Sequence, residues 1–430
     1  MKEQIIEKLR GQKILILGFG REGKSTLAFL NRELPDAEIA IADINPIEDE
    51  SVVKYTTFTG PEYLNCCKDY NVIIKAPGVS IKNDLPDSEK AKITSQTDLF
   101  LQAYRNQTIG ITGTKGKSTT SSLIYHILQK TGKKSVLVGN IGKPCFDFID
   151  EITPETIVVF EISAHQLEYV KASPHYAVLL NIYEEHFDHY ATPEDYYSAK
   201  KNIFRLQQTG DLLVYGDIFQ HATQAELDAA PSFKIDIEKT EVVPKSQIKT
   251  TLLGEHNLKN IEAAAAVAYA LRIDGEAFLD AVASFQGLPH RLQYVGTFRG
   301  IKFYNDSIAT AQEATINAVK AVGDVDTLIL GGMDRGLDYH PLVEFLKHSN
   351  VRNILLLPDT GAKIEQIFAE DRYVQGLIRV KNMEEAVKMA YEVTNPSQSC
   401  LLSPAAASYG FYKDFQERGE DYCRLVNMLQ

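Results

Sequence analysis

The chain has 430 residues, of which 44% are hydrophobic and 24% charged, with a formal net charge of −12. That length exceeds one hydrophobic core and predicts about three domains. No apolar run approaches the roughly 20 residues needed to span a bilayer, so a membrane protein is not expected, and the acidic balance disfavours nonspecific nucleic-acid binding. The N-terminal M-K-E-Q-I-I-E-K-L-R carries both charge signs and lacks the apolar stretch of an export signal, which points to the cytoplasm. Cysteines at 66, 67, 145, 400 and 423 form an odd set without a C-x-x-C pair, so buried free thiols are expected rather than disulfides or a zinc site.

Lys13 to Leu17 reads as a buried strand, followed by Gly18-Phe19-Gly20-Arg21-Glu22-Gly23 and a helical stretch through Leu30. A second strand, Glu38 to Ala42, ends at Asp43. A G-x-G-x-x-G turn with an acid about 20 residues on is the dinucleotide fingerprint, yet a helix N-terminus serves any phosphate-bearing ligand, a UDP-sugar included. A ligand-free βα turn is an equal reading. Val72 to Lys75 supplies a further strand ahead of Pro77-Gly78, and a polar stretch, Lys82 to Lys92, leads to a domain boundary near Ser95.

Thr108 to Thr120 reads T-I-G-I-T-G-T-K-G-K-S-T-T and runs into S-S-L-I-Y-H-I-L: strand, glycine loop, helix. Gly113, Thr114, Lys115 and Gly116 can turn backbone N–H groups onto a polyphosphate. Lys117 can reach its terminal oxygens, and Ser118 or Thr119 can hold Mg²⁺. Gly110 lies one residue too far from Gly116 for the common phosphate-loop spacing, so G-T-x-G-K-S-T is its own variant. Strands follow at Ser135 to Val138 and at Thr156 to Phe160, the latter ending on Glu161, where a Mg²⁺ ligand belongs. Another strand, Tyr176 to Asn181, leads into Glu184-Glu185-His186-Phe187-Asp188-His189, which suits a metal site, a general base cluster or a solvated polar loop. Pro193 opens a helix carrying Lys200 and Lys201, a pair whose spacing indicates a solvated face. Leu213 to Lys249 predicts short strands and a surface loop. Gly254-Glu255-His256-Asn257 then caps an alanine-rich helix whose Asn257 and Asn260 can reach a base or ribose.

Gly287-Leu288-Pro289-His290-Arg291 marks a second boundary. Beyond it, strands at Ile301 to Asn305, Thr327 to Leu330, Ile354 to Leu357 and Ser399 to Leu402 alternate with helices at Ala311 to Val322, Pro341 to Lys347 and Met383 to Val393. The expected class is α/β. It comprises an N-terminal Rossmann-like domain (1–95), a central P-loop ATPase-like parallel sheet (96–288) and a C-terminal Rossmann-like domain (289–430).

Nine ordered motifs, among them G-T-K-G-K-S-T, E-I-S-A-H-Q-L-E, L-N-I-Y-E-E-H-F-D-H-Y, G-E-H-N-L-K-N, L-P-H-R, N-D-S-I-A-T, L-G-G-M-D-R-G and L-L-S-P-A-A-A-S, resemble those of the Mur ligases from about residue 10 to the C-terminus. The resemblance implies ATP-driven amide formation through an acyl phosphate. It also implies that Gly20, Arg21, Glu22 and Asp43 face the UDP of UDP-N-acetylmuramoyl-L-alanine rather than NAD, and that Asn140, Ser163 and Gln166 face its muramoyl part. Lys117 would be catalytic. Ser118 and Glu161 would hold one Mg²⁺ and His186 a second, with Lys200 carbamylated to support it. Asn257, Asn260, Arg291 and Asp306 would hold ATP, while Thr310, Arg335, Ser408 and Phe415 would hold glutamate, the D-enantiomer being favoured over L. A monomer is implied. Three residues depart from the family pattern: Ala76 for a serine, Ile308 for the lysine of N-D-S-K-A-T, and Gly410 for an acid. Folylpolyglutamate synthases share the phosphate loop, and an NAD oxidoreductase rests on Gly18 to Gly23 alone.

Overall fold

Strand segments such as Ile14 to Leu17 and Ala177 to Leu180 are apolar at successive positions because both faces of a parallel sheet are covered, and all eight of these side chains are buried. The computed structural model describes residues 1–82, 84–183, 189–370 and 376–429. Two compact units result: residues 1–249 with 256–283, and residues 250–255 with 284–430.

The first unit holds two sheets. One comprises β1 (Lys13–Leu17), β2 (Glu38–Asp43), β3 (Thr56–Thr59), β4 (Val72–Lys75) and β5 (Ile93–Thr94), all parallel, in the order β3-β2-β1-β4-β5. Strand order reverses between β1 and β4, which opens a crevice at their C-terminal ends. The other comprises β6 (Thr108–Thr112), β7 (Ser135–Gly139), β8 (Ile157–Glu161), β9 (Tyr176–Asn181), β10 (Leu212–Asp217) and β11 (Phe233–Asp236), in the order β11-β10-β9-β6-β8-β7. One apolar core runs across both sheets, joined by contacts such as the Phe29 and Phe146 rings at 4.5 Å.

In the second unit β12 (Gln293–Phe298), β13 (Ile301–Asn305), β14 (Val325–Gly332), β15 (Asn353–Asp359), β16 (Leu377–Arg379) and β17 (Ser399–Leu402) lie in the order β12-β13-β17-β14-β15-β16. Among the described strands of this sheet only β12 is antiparallel, paired to β13 with a bulge between Tyr294 and Gly296. The architecture is the expected α/β class with three Rossmann-like or P-loop-type sheets. Several local expectations need correction. The 213–249 stretch also contains a helix, Gln224–Ala229, because Thr223 and Glu226 form a capping box. β12 was not anticipated, since its glycine-interrupted Q-Y-V-G-T-F is a weak strand pattern that pairing completes. Cys66, Cys67, Cys145 and Cys400 are buried, whereas Cys423 is only half-buried. Among the described residues no helix is long and apolar enough to cross a membrane.

Candidate active site

The phosphate loop leaves β6, the strand between β8 and β9, and enters the helix Lys117–Lys130. Gly116 caps that helix in the left-handed region (φ 85°), and a Cβ there would lie 2.5 Å from Asn260 Oδ1. Only glycine fits, and Asn260, buried and bonded through Nδ2 to Asn257 Oδ1 at 2.9 Å, is thereby seated against the loop. The end of β9 pins the other side. Thr114 N–H donates to Asn181 O (3.0 Å), Lys115 N–H to Asn181 Oδ1 (2.8 Å), and Tyr183 N–H to Thr114 Oγ1 (2.9 Å). Ser118 and Thr119 fall in the first helical turn, where backbone N–H groups and the helix dipole favour an anion.

Two ammonium groups meet on one carbonyl. Lys117 Nζ donates to Gly113 O (2.8 Å) and Thr114 O (3.0 Å), and Lys200 Nζ donates to the same Gly113 O at 2.8 Å. Lys200 is 2% exposed, with its Nζ 4.8 Å from the Tyr196 ring centroid. The solvated face expected for Lys200 and Lys201 is therefore wrong. The helix Pro193–Arg205 packs that face inward, and Lys201 is covered too, paired with Glu226 at 2.7 Å. Local spacing cannot register this burial.

Glu161 closes β8, in register with Ile111 of β6. It is fully buried. Its Oε1 accepts from Asn140 Nδ2 (3.1 Å), while its Oε2 has no hydrogen-bond partner among the described residues. An orphaned carboxylate oxygen beside a phosphate loop is a ready ligand for a hard cation. Asn140 itself lies in the Gly139–Gly142 turn, onto which Arg21 donates at Gly139 O (3.2 Å), Asn140 O (3.3 Å) and Gly142 O (3.4 Å).

Around β1, Gly18 (φ 93°) is crossed so closely that a Cβ would lie 2.5 Å from Val79 Cγ2 and 2.9 Å from Ala76 Cβ. At Gly23 a Cβ would lie 2.2 Å from Gly18 O, whereas Gly20, the helix N-cap, faces open space. Asp43 accepts from Phe19 N–H (2.8 Å) and Asn45 N–H (2.9 Å), so it shapes the loop. Glu22 Oε1 accepts from Gln166 Nε2 at 2.6 Å and its Oε2 is buried without a hydrogen-bond partner among the described residues; burial holds the carboxyl above the usual range. Gln166 also closes a capping box with Ser163. Lys75, which sequence reasoning passed over, is 3% exposed at the end of β4 and pairs with Glu168 at 3.1 Å; burial lowers its pKa. A lysine inside a strand run was its only signal.

In the second unit Asp306 follows β13. Its carboxylate accepts from Leu292 N–H (3.1 Å) and Ser403 Oγ (2.8 Å), yet burial raises its pKa to about 6. Arg291 is exposed between two residues held in the left-handed region, His290 (φ 63°) and Leu292 (φ 44°). Arg335 donates to Thr310 O at 3.2 Å, which brings those two predicted residues together. Ser408 is buried, and Phe415 O accepts from Ser307 Oγ at 2.8 Å. His186 lies outside the described residues.

A phosphate loop on an inner parallel strand, with an orphaned acid one strand away, defines a nucleotide-binding α/β enzyme. Residues 111–240 match the Mur ligase middle domain. The chain is 33% identical to a UDP-N-acetylmuramoylalanine--D-glutamate ligase of Clostridioides difficile, over 98% of this chain and 100% of that protein. Its counterpart in Bacillus subtilis is 32% identical over 98% and 99%. A UDP-N-acetylmuramate-alanine ligase structure from Thermotoga maritima superposes with TM-score 0.55 at 17% identity, covering 97% of this chain and 100% of that one. The chain belongs to the Mur ligase family of ATP-dependent, amide-bond-forming ligases.

Proposed function

We propose that the protein joins D-glutamate to the L-alanine carboxyl of UDP-N-acetylmuramoyl-L-alanine, using ATP, in peptidoglycan precursor synthesis. The carrying observation is the convergence of Lys117 and Lys200 on Gly113 O, with the free oxygen of Glu161 on the adjoining strand. A fixed cation such as Lys117, held at the loop beside a buried acid, serves a reaction whose reactants, a carboxylate and a triphosphate, repel each other. In that reaction the alanine carboxylate oxygen bonds to the γ-phosphorus as the β–γ bridging bond breaks and ADP leaves. The glutamate amine then bonds to the acyl carbon, releasing inorganic phosphate and a proton. Lys117 would swing from its loop carbonyls onto the terminal phosphate oxygens.

Bound Mg²⁺ supplies charge neutralisation on the triphosphate. Glu161 Oε2 and the Ser118 hydroxyl, both hard oxygen donors, suit it, and His186 is assigned to a second ion on the family match alone. Lys200 is assigned as a carbamate. Two ammonium groups sharing one carbonyl repel, and carbamylation turns one of them into an anion that can pair with Lys117 or support a metal. The Gly20 turn and Arg21 are assigned to the UDP diphosphate and Asn140 to the muramoyl side. Asn257, Asn260, Arg291 and Asp306 are assigned to ATP, and Thr310, Arg335, Ser408 and Phe415 to glutamate. Domain limits at 1–95, 96–288 and 289–430, a monomeric state and a cytoplasmic location, where ATP and nucleotide sugars are made, complete the reading.

Phosphate release with ATP, Mg²⁺ and UDP-N-acetylmuramoyl-L-alanine, in the presence of each glutamate enantiomer in turn, tests it. Release driven by D-glutamate is expected. A preference for L-glutamate overturns the stereochemistry, and no response to either overturns the assignment of substrate.

A further inference from the structure

The second unit contains a cavity with about 170 Å³ of space reachable by water, against the roughly 10–15 Å³ that one water needs. Gly331, Gly332, Lys381, Ser408, Tyr412 and Arg418 are among the residues around it, beyond the C-terminal ends of β14 and β17. Arg418 is 1% exposed, and its guanidinium donates from Nε to Ser307 Oγ (2.9 Å), from Nη1 to Ala406 O (3.0 Å) and from Nη2 to Ser307 O (2.8 Å). Every acceptor is neutral. Tyr412, whose ring also lines the cavity, donates its hydroxyl to Asp421 Oδ2 at 2.8 Å, so that acid is engaged elsewhere. Burial lowers the Arg418 pKa only to about 10, and the group stays charged at neutral pH.

A buried charge held by neutral dipoles alone is an unbalanced one, and an entering anion would balance it. The wall beside it is kept open. A Cβ on Gly332 would lie 3.1 Å from Arg418 Nη1 and 2.5 Å from Ala407 O, so a side chain there would obstruct the guanidinium. At the solvent side Lys381, exposed just past β16, has its backbone N–H fixed by Glu385 Oε2 at 2.7 Å, while its ammonium makes no ion pair among the described residues. Two cations and the buried Ser408 thus border this space, together with the apolar Leu357, Met383 and Phe411, and a short acidic arm with an apolar stem fits it.

We propose that this cavity receives the side-chain carboxylate of the incoming glutamate, with Arg418 as the buried cation and Lys381 as the solvent-side one, in place of the lysine absent at position 308. The inference rests on the ligase reading above. It accounts for how two carboxylates are accommodated: Arg335 beside Thr310 takes one, and the cavity takes the other.

The test is steady-state phosphate release by the full-length Lys381→Ala and Lys381→Glu variants, with glutamate, ATP and UDP-N-acetylmuramoyl-L-alanine each varied in turn. The KM for glutamate should rise about tenfold in Lys381→Ala, the loss of one charge-assisted contact, and further in Lys381→Glu. The KM values for ATP and the sugar nucleotide should stay within about twofold, and Lys381→Arg should recover most of the loss, as a preserved cation would. Arg418→Lys, which keeps the charge and loses the fork, should raise the same KM if it folds. An unchanged glutamate KM in both Lys381→Ala and Lys381→Glu, with wild-type turnover intact, overturns the pocket and leaves the ligase reading standing. Wild-type protein inert toward glutamate overturns the ligase reading and the pocket with it.

Discussion

Two glycine turns in the first unit, Gly18–Gly23 and Gly113–Ser118, lie between a parallel strand and the helix that follows it, and they use their glycines differently. At the first, two of three glycines serve packing: Gly18 lets Val79 and Ala76 cross it, and Gly23 lets the helix rest on the carbonyl of Gly18. Of its charged residues, Arg21 donates to the turn after β7 while staying exposed, and Glu22 pairs with Gln166. At the second, the glycine at 116 makes room for Asn260, and the lysine, serine and threonine that follow remain only partly covered. The first turn is built as a joint with one open N-cap. The second is built to receive charge.

Removing the charge from the second turn should have the largest effect. Lys117→Ala should lose about 3 to 4 kcal/mol of barrier stabilisation, roughly 10²- to 10³-fold in kcat, with the thermal midpoint nearly unchanged. A folded variant with near-normal phosphate release would show that the two turns do not differ in this way. Lys200→Ala should cost about 10- to 100-fold, the scale of a group supporting a ligand from behind. A small added carboxylate should restore part of it, and intact-protein mass measurement should find the wild-type residue carbamylated in bicarbonate. Full activity of the alanine variant would return Lys200 to a packing role.

Substitutions in the first turn should act on the fold before the chemistry. Gly23→Ala should destabilise the protein by about 1 to 3 kcal/mol in urea, because the new methyl meets a backbone carbonyl that cannot move aside cheaply. Gly20→Ala, in open space at φ −74°, should leave stability within about 0.5 kcal/mol and raise the KM for the sugar nucleotide. Equal destabilisation by both would erase the distinction between joint and open N-cap. The smallest effect belongs to Glu22. Its folded pKa lies above the ordinary value of 4.5, so the folded state retains a proton that the unfolded state releases as pH rises past that value. The stability it contributes is full below that pH and declines as pH rises towards the folded pKa. Glu22→Gln should therefore raise the thermal midpoint at neutral pH and flatten its decline from pH 4.5 upward, and an unchanged slope would show that the carboxylate is not buried as described.

What the sequence determined alone was whatever depends on neighbours along the chain. The runs that become β1, β6, β9, β13 and β17, the helices that follow the first four of them, and the phosphate loop with Lys117 and Ser118 are set by periodicity, β-branching and glycine placement over fewer than about twenty residues. Glu161 was legible for the same reason, as the acid that ends a strand. Tertiary packing decided the rest. Lys200 and Lys201 read as solvated because two adjacent lysines normally are; the approach of the Pro193–Arg205 helix to the phosphate loop buries Lys200, and contacts with His221 and Glu226 cover Lys201. Arg418 sits in an amphipathic helix among glutamates, where an arginine ordinarily meets water; its burial comes with contacts to Ala406, beyond the end of β17, and to Ser307, 111 positions away. The pairing of Glu22 with Gln166 spans 144 positions. Such contacts have no local period or propensity, because their energy comes from excluding water between segments that meet only once the sheets have formed.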